Sequence, residues 1–131
     1  MLMVRRDLET PHVLLQLRAA WTHGGGTWAI PGGALGSHEE PISAAVREAW
    51  EEVGIDVDGI DVKDVFHDDH LNWAYYTVVA HVGADVIVAE GNYESEAVEW
   101  VALDDVESYP LHAGLRSTWP AVKEMVAATL A

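Results

Sequence analysis

The sequence predicts a layered α/β sandwich, one sheet flanked by helices, on three observations. Two apolar strand-like runs stand near the N-terminus, an amphipathic helical stripe follows a glycine-rich stretch, and a second helical pattern closes the chain after further runs of β-forming residues.

Taken in order, LMVRR (2–6) and HVLLQLR (12–18) are apolar runs separated by DLETP, a turn-like connection, and read as paired strands. AAWTHGGGTWAIPGGALGSHEE then combines three glycines, a short TWAI strand and Pro31-Gly32-Gly33, which describes one loop followed by a sharper one. Pro41 suits a first helical turn. From there Ile42, Ala45, Val46, Ala49, Trp50 and Val53 recur at helical spacing, a core-facing stripe that Gly54 would end. IDVDGIDVKDVF alternates apolar and polar residues, and NWAYYTVVAHV (72–82) is rich in aromatic and β-branched residues. AVEWVAL (97–103) predicts another strand and DDVES a short helical turn. The pattern Trp119, Val122, Val126, Leu130, with Pro120 near the first turn, predicts a closing helix. No internal repeat or linker interrupts this order, so residues 1–131 are expected to form one domain.

Half of the residues are apolar, a globular balance. With no cysteine in the chain, disulfides, thiolate metal sites and a cysteine nucleophile are excluded. A net charge of −15, from 22 acids against seven Lys plus Arg, argues against polymeric DNA or RNA as a partner. Apolar runs fall short of membrane-spanning length and no secretory leader pattern opens the chain, so a cytoplasmic protein with no membrane partner is expected. An acidic protein can still hold a small phosphorylated ligand when divalent cations supply positive charge.

That possibility bears on REAWEEVG (47–54). At helical spacing Glu48 neighbours both Glu51 and Glu52, and the three share an arc of roughly 100° away from the apolar stripe. Like charges so placed repel unless water bathes them or a cation joins them. Their wider spacing is specific: Gly33, five residues, Glu39, seven residues, then Arg47-Glu48-Ala49-Trp50-Glu51-Glu52-Val53-Gly54-Ile55. This resembles the Nudix box, G-x5-E-x7-R-E-U-x-E-E-x-G-U with U aliphatic. All fixed positions are filled, and Ala49 is a small member of the U class. The WAIPGG approach, VLLQLRAAW and ESEAVEWVALDDV are also similar to that family, so the resemblance covers most of the chain. Gly36, His38 and Glu40 depart from it, where many members have Glu, Gly, and Ser or Thr.

The resemblance implies a Nudix-type α-β-α sandwich with a mixed central sheet, and hydrolysis of a nucleoside diphosphate linked to another moiety, with a (d)NTP or oxidised dNTP as the candidate substrate. Cleaving such an anhydride requires neutralising phosphoryl charge, orienting a water and accepting its proton. Glu48, Glu51 and Glu52, with the backbone carbonyl of Gly33, form a hard oxygen set suited to Mg²⁺, with Mn²⁺ as the alternative. By the resemblance Arg47 orients the box carboxylates and Glu39 orders the loop. Family members often add a late carboxylate, and GNYESEAVEW offers Glu94, Glu96 and Glu99; Glu96 is preferred for its place just before the strand. The proton acceptor stays open between Glu52, Glu51 and this segment. Alternation would send Val98 and Trp100 to one face and Glu99 to the other.

Residues 67–70, HDDH, lack a zinc spacing and read as turn residues between strands. Among the aromatic residues Trp28, Trp73, Tyr75 and Tyr76, core packing is the ordinary role, yet Trp28, Trp73 or Tyr75 can line a nucleobase pocket. A silent nucleotide-sensing module would be expected to lose box glutamates, and none is lost. Isopentenyl diphosphate isomerases share the fold but need a cysteine. The proline marking many ADP-ribose members is missing between Pro41 and Pro110, which leaves ADP-ribose or nucleotide-sugar pyrophosphatase as an alternative. Homodimers are common in the family.

Overall fold

A computed structural model describes residues 1–20, 25–30, 40, 42–47, 60–69, 74–83 and 95–131, with backbone alone at 68, 69, 74, 75, 95 and 96. Among the described residues six strands are present: β1 (Leu2–Arg5), β2 (His12–Arg18), β3 (Trp28–Ala29), β4 (Ile60–Asp69), β5 (Ala74–Val82) and β6 (Ser95–Ala102). Residues 42–47 are helical and are called α1; a 3-10 helix (Leu103–Ser108) and α2 (Ala113–Leu130) end the chain.

The six strands form one mixed sheet. Its path runs β3-β2-β1-β5-β4, with β6 on the remaining edge of β2. β1 and β5 run parallel from Leu2↔Val79 to Arg5↔Val82, whereas β1-β2, β2-β3, β2-β6 and β4-β5 are antiparallel. Val13 faces both Val4 and Val101, and Leu17 faces both Trp28 and Ala97. A strand residue has only two edges, so β1 and β3 must share one edge of β2 while β6 runs along the other. Of the three strands paired on both edges, β1, β2 and β5, the first two read as mostly apolar runs because both sheet faces are covered.

Alternation divides the core in two. Leu2, Val4, Val13, Leu15, Val79 and Val101 point to the face that receives Leu115, Trp119, Val122 and Val126 of α2. Met1, Met3, Leu14, Val78, Ala80 and Val82 point to the opposite face, where Ala45 and Val46 of α1 pack. The result is the expected α-β-α sandwich. Each large side chain fully buried in it contributes about 1.5–3 kcal/mol.

Several expectations are corrected. Ile42, placed in the core stripe of α1, is 37% exposed, and Ala44 is buried beside Ala45 instead. Small side chains let the helix backbone approach the sheet where the bulkier isoleucine of the first turn does not reach it. Residues 67–69 of HDDH are not a turn: they continue β4, pairing with Tyr76, Tyr75 and Ala74. His67 stacks on Tyr76 with ring centroids 4.4 Å apart, which fits a polar strand end carried by cross-strand contact. Pro120 lies well inside α2 and not in its first turn, because the helix begins at Ala113, where the His112 ring accepts from the Gly114 N–H at 3.2 Å. Proline removes one ladder bond there. Burial of Leu115 and Trp119 on one side of it and Val122 and Val126 on the other keeps the helix continuous.

Among the described residues, no helix is long and apolar enough to cross a membrane.

Candidate active site

The α1 face of the sheet is where the sequence motif begins to enter the structure. Glu40 sets the entry to α1: its carboxylate accepts from the Ser43 N–H at 2.7 Å and the Ser43 hydroxyl at 2.6 Å, and its carbonyl accepts from the Ala44 N–H. These are N-cap bonds from a residue type less used there than Ser or Asp. The Ser43 bonds hold the Glu40 carboxyl below its usual range. Arg47, first of the Arg-Glu pair of the box, is half-buried at the end of the described helix. Gly33, Glu39, Glu48, Glu51, Glu52 and Trp73 lie outside the described residues.

The turn between β2 and β3 closes through the Arg18 N–H to the Thr27 carbonyl and the Gly26 N–H to the Arg18 carbonyl, both at 2.9 Å. Two glycines make this closure feasible. A Cβ on Gly25 would meet the Ala19 carbonyl oxygen at 2.5 Å, and Gly26 has φ 79°. β3 is held on its far side as well, since the Trp28 N–H donates to the Pro110 carbonyl and the Trp28 carbonyl accepts from the His112 N–H.

This position decides where the side chains of β3 point. Trp28 packs with the α2 cluster and meets Tyr109 edge-on at 5.5 Å between ring centroids. Ala29, paired with Gln16, faces the α1 side. The Tyr109 hydroxyl donates to Glu99 at 3.1 Å. Burial, and secondarily the Glu99 carboxylate, push the Tyr109 phenol up. Val98 and Trp100 pack in the α1-side cluster while Glu99 engages Tyr109 of the other, so the expected alternation holds.

Glu96 lies inside β6 and not just before it, a correction to its expected place. The strand pairs Leu17↔Ala97 and then Arg18↔Ser95, so Glu96 is the residue skipped by the register shift. Such β-bulges bend a strand and re-aim a side chain, and they recur beside active sites. Among the described residues, no group of three or more His, Asp or Glu side chains is gathered to hold a metal. An open groove of about 530 Å³, lined by Thr10, Pro11, Leu103, Asp104 and Leu130 among others, includes none of the box residues.

Gln16 was not singled out from the sequence. It is 4% exposed, and its Oε1 has no hydrogen-bond partner among the described residues. The available signal was a single carboxamide inside the apolar run HVLLQLR.

A model of the NUDIX domain matches residues 1–122. The chain belongs to the Nudix family. The crystal structure of a Nudix hydrolase from M. smegmatis, RenU, is similar with a TM-score of 0.88 and 36% identity, covering 97% of this chain and 83% of that one. A Mycobacterium tuberculosis protein named "Putative 8-oxo-dGTP diphosphatase 3" is 44% identical over 116 residues, 84% of this chain and 53% of that protein. A Bifidobacterium longum "Nucleoside triphosphate pyrophosphatase/Nudix hydrolase fusion protein" is 41% identical over 124 residues, 91% of this chain and 26% of that protein. The chain thus spans about half, or less, of the length of these two relatives.

Proposed function

We propose that this chain, as one domain over residues 1–131, is a divalent-metal-dependent Nudix pyrophosphohydrolase that cleaves a phosphoric anhydride of a nucleoside triphosphate, oxidised dNTPs included. One observation carries the reading: the box from Gly33 to Ile55 keeps all its acids, its arginine and its glycines in a chain that the family model matches over residues 1–122. The name of the M. tuberculosis relative supports an oxidised deoxynucleotide as substrate.

The donor chemistry fits a hard cation. Glu48, Glu51, Glu52 and the Gly33 carbonyl supply oxygen ligands only, in a chain with no thiolate to compete. Bound Mg²⁺ or Mn²⁺ supplies charge neutralisation at the phosphoryl oxygens. Arg47 and Glu39 are assigned to orienting the carboxylates and the loop. A carboxylate not occupied with metal accepts the proton of the attacking water, as the water oxygen bonds to phosphorus and the bridging P–O bond breaks. Glu51, Glu52 and Glu96 are the candidates for that base. Because the Trp28 ring is engaged with Tyr109 on the α2 face, base stacking is assigned to Trp73 or Tyr75 in preference to Trp28. The proposed partner is a small nucleotide and no nucleic acid polymer, in a homodimer located in the cytoplasm.

The test incubates the protein with dNTPs, oxidised dNTPs, dinucleoside polyphosphates, ADP-ribose and nucleotide sugars, with and without Mg²⁺ or Mn²⁺, beside Glu51→Gln and Glu52→Gln. Metal-dependent release of product from an oxidised or ordinary dNTP is expected, with a loss of rate of about 100-fold or more in at least one variant. Activity unchanged in both variants sinks the proposed site.

A further inference from the structure

Gln16 occupies a position in β2 where neither cross-strand neighbour can satisfy it. Its carboxamide is on the α1 side, flanked by Ala29 on β3 and Val98 on β6, with Leu14 before it on the same face. All three neighbours are apolar, and Oε1 is buried without a hydrogen-bond partner among the described residues. Turning the amide over would exchange an orphaned acceptor for a misplaced donor and would not remove the mismatch. Buried carbonyl oxygens are seldom left unpaired, because the water they lose must be replaced. By contrast, buried His81 has Thr129 as partner. A leucine in place of Gln16 would continue the run VLLQL and leave no buried carboxamide oxygen unpaired.

Its setting is that of the motif. Gln16 shares its sheet face with α1, which ends its described part at Arg47 of the box. Two residues further along β2, Arg18 pairs with Ser95 at the Glu96 bulge. Ala29 is the smallest of the three neighbours, so on its β3 side the amide meets no more than a methyl group.

We propose that Gln16 is a substrate-recognition residue, its buried carboxamide oxygen accepting a hydrogen bond from an N–H on the nucleobase edge of the bound nucleotide. The choice of atom follows from chemistry: phosphate oxygens at neutral pH only accept, so a carbonyl oxygen repels them, whereas the amide and amino groups of bases donate. A site built to pair with a donor rejects analogues lacking it more strongly than an apolar pocket can reject an added group. The inference rests on the nucleotide pyrophosphohydrolase reading.

The experiment compares wild type with Gln16→Met, a substitution close in shape, using kcat and KM for each base of a dNTP panel, for 8-oxo-dGTP, for inosine and dideoxy analogues, and for a base-free deoxyribose triphosphate. For the best substrate, Gln16→Met is expected to lower kcat/KM relative to the base-free compound by about tenfold, mostly through KM. The melting temperature is expected to hold or rise, since an unpaired buried group has been removed. Ratios between substrates that do not move overturn the recognition role while leaving the hydrolase reading intact. Loss confined to compounds bearing a 3′-hydroxyl overturns the base contact in favour of the sugar. A wild type that hydrolyses no nucleotide with either metal overturns the hydrolase reading and this inference with it. Gln16→Leu carries the same comparison should Gln16→Met fail to fold.

Discussion

His81 Nε2 and Thr129 Oγ1 lie 3.0 Å apart and tie the end of β5 to the last turn of α2. The Thr129 hydroxyl gives its own proton to the Val126 carbonyl at 2.7 Å, so its oxygen is left to accept, and the neutral imidazole carries its proton on Nε2. Burial holds the His81 pKa below its ordinary 6.5; Lys63 and Arg6 push the same way, and Asp61, its register partner, opposes them.

This relationship predicts a pH-dependent stability. Below pH 6.5 the unfolded histidine takes up a proton that the folded one resists, so stability is complete above that pH and declines as pH falls toward the lower folded value. The melting temperature of wild type is expected to fall by a few degrees relative to His81→Gln between about pH 7.5 and 5. Parallel melting curves across that range would remove the histidine from the account.

The Glu40 cap predicts a second effect of pH, with its own window. Its carboxyl sits below the ordinary 4.5 because Ser43 donates twice to the charged form, so its contribution is present above that pH and fades as the carboxyl protonates. Glu40→Ala is expected to lower the melting temperature by about 2–5 °C at neutral pH. The deficit should narrow below pH 4.5, whereas an equal deficit at all pH values would mean that the carboxylate does no capping. Glu40→Ser should recover most of the loss.

Among the described residues Trp119 is the largest side chain fully buried in the core, 1% exposed, and its indole N–H donates to Glu107 at 3.1 Å. Trp119→Ala is expected to cost about 3–5 kcal/mol in denaturant unfolding, enough to threaten the fold of a single domain. Trp119→Phe keeps most of the packing and forfeits the indole bond, and should cost well under half as much. Similar losses in the two variants would place the weight on the hydrogen bond and not on burial.

The elements that could be read from the chain are those whose side chains alone reveal their surroundings. β1, β2 and β5 were legible because residues such as Leu2, Val13 and Val79 belong to uninterrupted apolar runs, and α2 because Trp119, Val122 and Val126 share one face. Segments held by pairing to a neighbour were not. His67 belongs to β4 through its bond ladder and its stack on Tyr76, neither of which its own polarity announces. Ser95 extends β6 because Arg18 of β2 is there to pair with it, and the bulge at Glu96 depends on the relative register of two distant strands. The same contrast runs through the site. The box was legible because its chemistry is compressed into one stretch of the chain, whereas Gln16 becomes conspicuous only when Ala29 and Val98 are seen to flank it.

The bulge at Glu96 also separates the late carboxylates as candidates for the proton acceptor. Glu99 is engaged by the Tyr109 hydroxyl, and Tyr109 packs with the α2-side cluster, so Glu99 is committed away from the face where α1 lies. In the backbone register Glu96 is the extra residue of the bulge. If it removes the proton from the attacking water, Glu96→Gln lowers kcat by about 100-fold or more while KM and the metal dependence change little, because the amide keeps the shape and loses the basicity. The acidic limb of the kcat–pH profile should be lost in the same variant. Glu99→Gln should retain near wild-type kcat and lose some stability through Tyr109. Should Glu96→Gln keep both wild-type kcat and its acidic limb, the proton goes to Glu51 or Glu52, and the bulge serves the geometry of the strand alone.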